Sequence, residues 1–248
     1  MTSRCDGKVA LISGAASGIG EATARLFVAE GARVALLGRR PRPLEDLATE
    51  LGDSALAIPT DVSSPDAVAA AVRTTVEHFG GLDIVVASAG IAEPVPLRDL
   101  DPETWRRTID IDLSGTFYLG REAGLWMLDH GGGTIINVSS GMANLGGAML
   151  SAYCAAKAGV NGLTRALAIE LAPTVRVNAV LPGPIDTPMI HKELAVFGIE
   201  ASAVAAQLPM RRLGTSEEMA KGILYAAVDA DYMSGAMLAL DGASTIAH

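Results

Sequence analysis

The stretch Gly14-Ala15-Ala16-Ser17-Gly18-Ile19-Gly20 lies between an apolar run at 9–12 and a segment in which Ile19, Ala22, Leu26 and Ala29 share one helical stripe that stops at Gly31. A strand, a glycine turn and a helix in that order suit a pyrophosphate. Glycines let the backbone bend sharply, and the free N–H groups and dipole of the first helical turn favour an anion. A tight turn needing glycine for sterics alone is the competing reading, and the strand–loop–helix context weighs against it.

Working outward, apolar runs at 34–37, 84–87, 135–138 and 175–181, and a last one at 237–240, read as strands buried on both faces. A further strand is expected before Asp61. Helical stretches fall near 43–51, 65–79, 103–129, 151–171 and 215–228. Pro65 behind Ser64 and Pro102 behind Asp101 mark helix starts, the serine and aspartate suiting N-caps. Alternation of this kind predicts an α/β chain with a parallel, doubly wound sheet and right-handed crossovers.

Composition sets the outer limits. The chain has 248 residues, 50% of them hydrophobic, 19% charged and 4% aromatic, with a net charge of −9. That is enough apolar material for a core without disulfide or metal staples. The acidity, with basic residues clustered only at Arg39, Arg40 and Arg42, argues against a nucleic-acid surface. Cys5 and Cys154 read as reduced thiols of a cytoplasmic protein. Arg4, Asp6 and Lys8 argue against a signal peptide. The uncharged window 131–156 holds six glycines plus Asn137, Ser139, Ser140 and Asn144, so no membrane span is expected there. The four histidines and two cysteines have no metal-ligand spacing, so no metal is expected.

A dinucleotide site usually places an acid on the ribose hydroxyls at the end of the second strand. Here that strand ends in Gly38-Arg39-Arg40. Glycine leaves room for a 2′-phosphate and arginine can bind it bidentately, which favours NADP(H) over NAD(H). Solvated loop arginines are the competing reading. Asp61 and Val62 suit an adenine, with a helix-start role competing for Asp61. Tyr153 and Lys157, four apart at the start of a helical stretch, share one face. An ammonium beside a phenol favours the phenolate, provided the site is partly desolvated.

With Ser139-Ser140 ending the preceding strand and the glycine loop at the start, the sequence resembles the short-chain dehydrogenase/reductase family over essentially its whole length. The matches are the glycine loop, the serine thirteen residues before Tyr153, Tyr153-x-x-x-Lys157, and Asn178-Ala179-Val180-Leu181-Pro182-Gly183-Pro184-Ile185-Asp186-Thr187. The resemblance implies a Rossmann-like, seven-stranded parallel sheet flanked by helices, in one domain covering residues 1–248. It implies that Gly14, Ser17, Gly18, Ile19 and Gly20 hold the pyrophosphate. It further implies that Ser140 binds the substrate oxygen, that Tyr153 is the general acid/base, and that Lys157 tunes it and holds the nicotinamide ribose. Pro182-Gly183 would lie under the nicotinamide. Ile185 would meet its carboxamide through the backbone, with Thr187 adding a side-chain contact or serving as a helix cap. Ser139 reads as a strand-end hydroxyl.

Two positions depart from the family. Ala87-Ser88-Ala89-Gly90 stands where Asn-Asn-Ala-Gly is usual; Ser88 keeps a hydrogen bond, Ala89 is retained, and Gly90 still permits close approach of a ribose. Asp112 occupies the place of the asparagine that completes the family's catalytic tetrad; it could pair with Lys157 and retune Tyr153, or the water relay from the lysine could survive through its backbone carbonyl. Residues 188–212 fall where the family has its substrate lid. Their apolar character, with Met189 among them, suggests an apolar substrate, a core-facing helix being an equal competitor; Met142, Asn144, Leu145, Met149 and Leu150, between Ser140 and Tyr153, are further pocket candidates. A homotetramer or homodimer is implied.

The leading expectation is hydride transfer between NADP(H) and a small-molecule ketone or secondary alcohol. An NAD-dependent alcohol, diol or hydroxysteroid dehydrogenase stays open. So does a non-catalytic nucleotide-sensing or scaffold protein on the same fold.

Overall fold

The structure, a computed structural model, describes residues 3–247. Five strands are Val9–Ser13 (β1), Arg33–Gly38 (β2), Ala55–Pro59 (β3), Ile84–Ala87 (β4) and Gly133–Val138 (β5); Val175–Pro182 (β6) and Met237–Leu240 (β7) complete one sheet. The order is β3-β2-β1-β4-β5-β6-β7, and every pairing is parallel. All residues of β1 and β4 are buried, as their unbroken apolar sequences require in a sheet covered on both faces.

Helices cover the two faces. Gly18–Ala29 (α1) and Pro41–Leu51 (α2) pack on one side with Ser216–Leu224 (α9), around Phe27, Leu44, Leu47 and Ile223. Pro65–Phe79 (α3), Gly115–Asp129 (α5) and Ser151–Glu170 (α6) pack on the other, around Val68, Val72, Leu119, Met127 and Leu167. Pro102–Ile109 (α4) precedes α5; Pro188–Phe197 (α7) and Ala201–Gln207 (α8) lie between β6 and α9. Ser64 and Asp101 cap α3 and α4, accepting from Ala67 N at 3.3 Å and Thr104 N at 2.7 Å, each with proline at the first helical position.

The structure revises several expected boundaries. The stretch expected as one helix over 103–129 is broken by a π turn at Asp110–Ser114. The expected 215–228 helix is α9 followed by a second π turn at Tyr225–Asp229, and α2 starts at Pro41. The strand order reverses at β1, between β2 and β4. The crevice beyond the carboxyl ends of β1 and β4 is therefore where a ligand of a doubly wound sheet sits.

Candidate active site and dinucleotide cleft

Ser13, the last residue of β1, ties the crevice together. Its Oγ accepts hydrogen bonds from Ser88 N and Ala89 N, both at 3.1 Å, so the ends of β1 and β4 are locked side by side. Gly14 then turns with φ +70; a Cβ there would lie 2.8 Å from Ser88 O. A Cβ on Gly20 would strike the Gly14 carbonyl, so both glycines are required by close backbone approach. Ser17 sits at the N-cap of α1 without a side-chain cap bond, leaving the first-turn N–H groups without that partner where Ser17, Gly18 and Ile19 line the crevice.

These groups border a cavity of about 760 Å³. Ser17, Gly18 and Ile19 line it, as do Gly38, Arg39 and Arg40 at the end of β2 and Asp61 and Val62 after β3. Arg40 Nη2 donates to Ala16 O at 3.4 Å, and both arginines are exposed. Burial works to raise the Asp61 carboxyl, but hydrogen bonds from Ser63 and the charge of Arg39 hold it below the usual range. Ser88, Ala89 and Gly90 continue the wall toward Tyr153 and Lys157, and Pro182, Gly183, Ile185 and Thr187 close it. A Cβ on Gly18 would lie 3.3 Å from Thr187 Cγ2, so the two loops that flank the cavity nearly touch. Thr187 both lines the cavity and caps α7, accepting from Ile190 N at 3.4 Å.

Ser140, Tyr153 and Lys157 all line the same cavity. Ser140 Oγ accepts from Met142 N at 3.1 Å and holds the turn Gly141–Ala143. Ser139 Oγ instead donates to Lys157 O at 3.1 Å, a strand-end role. The first turn of α6 brings Tyr153 against Lys157, whose Nζ stands 5.6 Å from the ring centroid. Lys157 is buried and donates to Val138 O at 3.1 Å, with Asp112 Oδ2 3.4 Å away. Asp112 is fully buried at the π turn; Oδ1 accepts from Ile91 N at 2.8 Å, while Oδ2 has no hydrogen-bond partner.

The charges bear on one another. Burial raises the Asp112 carboxyl, against the pull of Lys157. Burial works to lower the Lys157 ammonium, but Asp112 and Tyr153 outweigh it and hold it up. For Tyr153, burial outweighs the lowering by Lys157 and the hydrogen bond with Ser140, so the phenol sits above its ordinary value. Lys157 acts in the expected direction without bringing Tyr153 below that value.

Of the substrate-side candidates, Met142, Leu145, Leu150 and Met189 line the cavity; Asn144 and Met149 do not. Asn144 ends the Gly141–Ala143 turn, its N–H bonded to Gly141 O. Met149 turns the chain at φ +65 and its carbonyl accepts from Val95 N. Contributors that had no reading in the sequence include Ser13, Glu193 on α7, and Ser244 and Thr245 after β7. Glu193 was visible only as one acid in an apolar stretch. His191, an exposed neighbour, pairs with Asp186 at 2.7 Å. Among the described residues no cluster of three or more His, Cys, Asp or Glu could hold a metal, and no helix is long and apolar enough to cross a membrane.

A dinucleotide fits this cavity on its own geometry. The glycine cradle, the open first turn of α1 and the ends of β2, β4 and β6 follow one another along a single wall. Fold and site together define a nucleotide-dependent oxidoreductase. A family model described as enoyl-(acyl carrier protein) reductase matches residues 14–245. The chain is 45% identical to cis-4-hydroxycyclohexanecarboxylate dehydrogenase of Sinomonas cyclohexanicum, covering 96% of each chain. It is 39% identical to D-threitol dehydrogenase of Mycolicibacterium smegmatis, over 98% of this chain and 95% of that one. The crystal structure of a short-chain type dehydrogenase/reductase from Mycobacterium marinum superposes with a TM-score of 0.90 at 36% identity, covering 96% of each chain. The chain belongs to the short-chain dehydrogenase/reductase family. It is an enzyme acting on the CH–OH/C=O couple with NAD(P)(H).

Proposed function

We propose that the enzyme interconverts a ketone and a secondary alcohol with NADP(H), through Ser140, Tyr153 and Lys157. The observation that carries this reading is the convergence of these three side chains on the wall of the cavity that the glycine loop also opens. The nicotinamide, when bound, gives or takes the hydride. Ser140 Oγ holds and polarises the substrate oxygen. Tyr153 gives that oxygen its proton, or takes it, at the phenol. Lys157 places a positive charge beside the developing phenolate and holds the nicotinamide ribose; Asp112 holds Lys157 in place. Gly14, Ser17, Gly18, Ile19 and Gly20 hold the pyrophosphate, Asp61 and Val62 the adenine, Ser88, Ala89 and Gly90 the ribose side. Pro182, Gly183, Ile185 and Thr187 hold the nicotinamide. Residues 188–212 form a substrate lid within a single-domain chain.

The preference for the phosphorylated nucleotide rests on Gly38, Arg39 and Arg40 at the cavity rim, with no acid at the end of β2. A Cβ on Gly38 would meet only side-chain atoms at ordinary contact distance, Leu44 at 3.6 Å and Ala16 at 3.7 Å, so a Cβ fits there without backbone strain. Wild type is expected to bind NADP(H) more tightly than NAD(H), and Gly38→Asp to reverse the order. Titration of both nucleotides, followed by a carbonyl and alcohol panel, tests it; equal affinities in wild type and no shift in the variant contradict it.

Exposed Phe117, Leu125 and Leu128 on α5 and Ile169 on α6 support assembly of a homotetramer or homodimer through these faces; a monomer in light scattering contradicts it. The free thiols Cys5 and Cys154 fit a reducing, cytoplasmic setting.

A further inference from the structure

The substrate end of the cavity is walled by apolar side chains, among them Met142, Leu145, Leu150, Met189, Val204 and Leu208. One carboxylate interrupts that wall. Glu193 stands one helical turn beyond Met189 on α7, so the two share a face with Ile190, and all three line the cavity. His191, Lys192, Ala195 and Val196 take the solvent side of the same helix. Glu193 is half-buried, and among the described residues it makes no hydrogen bond or ion pair; burial alone acts on it and raises its pKa. It lines the same cavity as Ser140, Tyr153 and Lys157, and its charge adds a small upward push to the Tyr153 pKa.

A half-buried carboxylate without a partner is costly, and a ligand that donates a hydrogen bond to it recovers that cost. The charges around it decide which ligand. The only cations lining the cavity among the described residues are Arg39 and Arg40, at the far rim, and Lys157, held by Val138 O and Asp112. A carboxylate-bearing substrate would meet Glu193 with no counter-charge of its own. In this respect the chain has a feature that disfavours the kind of substrate named for its 45% identical relative, a hydroxycyclohexanecarboxylate dehydrogenase.

We propose that Glu193 is a specificity-determining residue that accepts a hydrogen bond from a second hydroxyl of the substrate, so that the enzyme takes uncharged diols, or the matching hydroxyketones, and rejects alcohols carrying a carboxylate. The inference rests on the ketone/alcohol reading above and names its substrate class.

The test compares kcat/KM for cyclohexanol, the cyclohexanediols, 4-hydroxycyclohexanecarboxylate and 4-aminocyclohexanol in wild type, Glu193→Gln and Glu193→Leu. Dinucleotide binding is measured alongside to show that each variant is folded. Wild type is expected to favour a diol over cyclohexanol by at least about tenfold, the scale of a hydrogen bond to a charged group. In Glu193→Leu that ratio collapses toward one. In Glu193→Gln the carboxylate substrate gains relative to the diol, because the like charge is gone. A wild-type preference for the carboxylate or for the amino alcohol overturns the proposal, as does a diol ratio that both variants retain. If wild type turns over none of these compounds or their ketones with either nucleotide, the ketone/alcohol reading falls, and this inference with it.

Discussion

Lys157 sits between a carbonyl and a carboxylate, and the charge of that carboxylate bears on the phenol beside it. Asp112 raises both the Lys157 ammonium and, through its charge, the Tyr153 phenol. Asn at this position keeps the acceptor for Ile91 N and removes the charge. Asp112→Asn is therefore expected to lower the Tyr153 pKa. In the oxidation direction the phenolate is the base, so the acid limb of the kcat/KM–pH profile moves to lower pH. A profile that superimposes on wild type contradicts a tuning role. At this scale the sequence was informative where chemistry and spacing coincide: a spacing of four put Tyr153 and Lys157 on one face, and the family resemblance singled out Ser140 and Asp112; Ser140, Tyr153 and Lys157 do come to one cavity wall. Ser13 was not found, because a strand-end serine carries no mark of the two amides it holds.

The strands were legible because a parallel sheet buried on both faces writes itself as unbroken apolar runs. The exception is β3, a sheet-edge strand only partly buried and too weakly apolar to bound in advance. The break in the 103–129 stretch was not legible either, because one extra residue per turn over a single turn hardly disturbs the helical period. That π turn places Asp112 in the interior, and Gly115 starts α5 just behind it. A Cβ on Gly115 would lie 2.8 Å from Val62 Cγ2 and 3.0 Å from Val62 O. Gly115→Ala is expected to push Val62 into the cavity it lines, at a cost of about 1–3 kcal/mol. Thermal unfolding reads this as a midpoint lowered by roughly 2–4 °C per kcal/mol, with weaker dinucleotide binding. An unchanged midpoint contradicts the packing.

Seen as a whole, the molecule uses one sheet to bring residues from the segments 14–19, 38–40, 60–62, 88–91 and 182–189 to a single cavity. The glycine loop and the loop ending at Thr187 are far apart in sequence and adjacent in space. Both lie at carboxyl ends of strands in the same sheet, which brings them to one cavity and would let them serve one cofactor. The net charge of −9 leaves Arg39 and Arg40 as a local basic exception at the cavity rim. What the sequence conveyed least was the substrate end. Which side chains line it depends on how residues 188–212 fold back and how the segment between β5 and α6 turns, so it was visible only in the structure that Glu193 lines the cavity while Asn144 and Met149 do not. The central claim is that Tyr153 moves the proton for a reaction on a carbonyl or alcohol, inside a cleft built to hold a dinucleotide. It is tested most directly by measuring turnover and dinucleotide binding for wild type and Tyr153→Phe on the same preparations. Turnover of the variant is expected to be lower by about 10²–10⁴-fold with binding little changed; turnover near the wild-type rate would contradict this role of Tyr153.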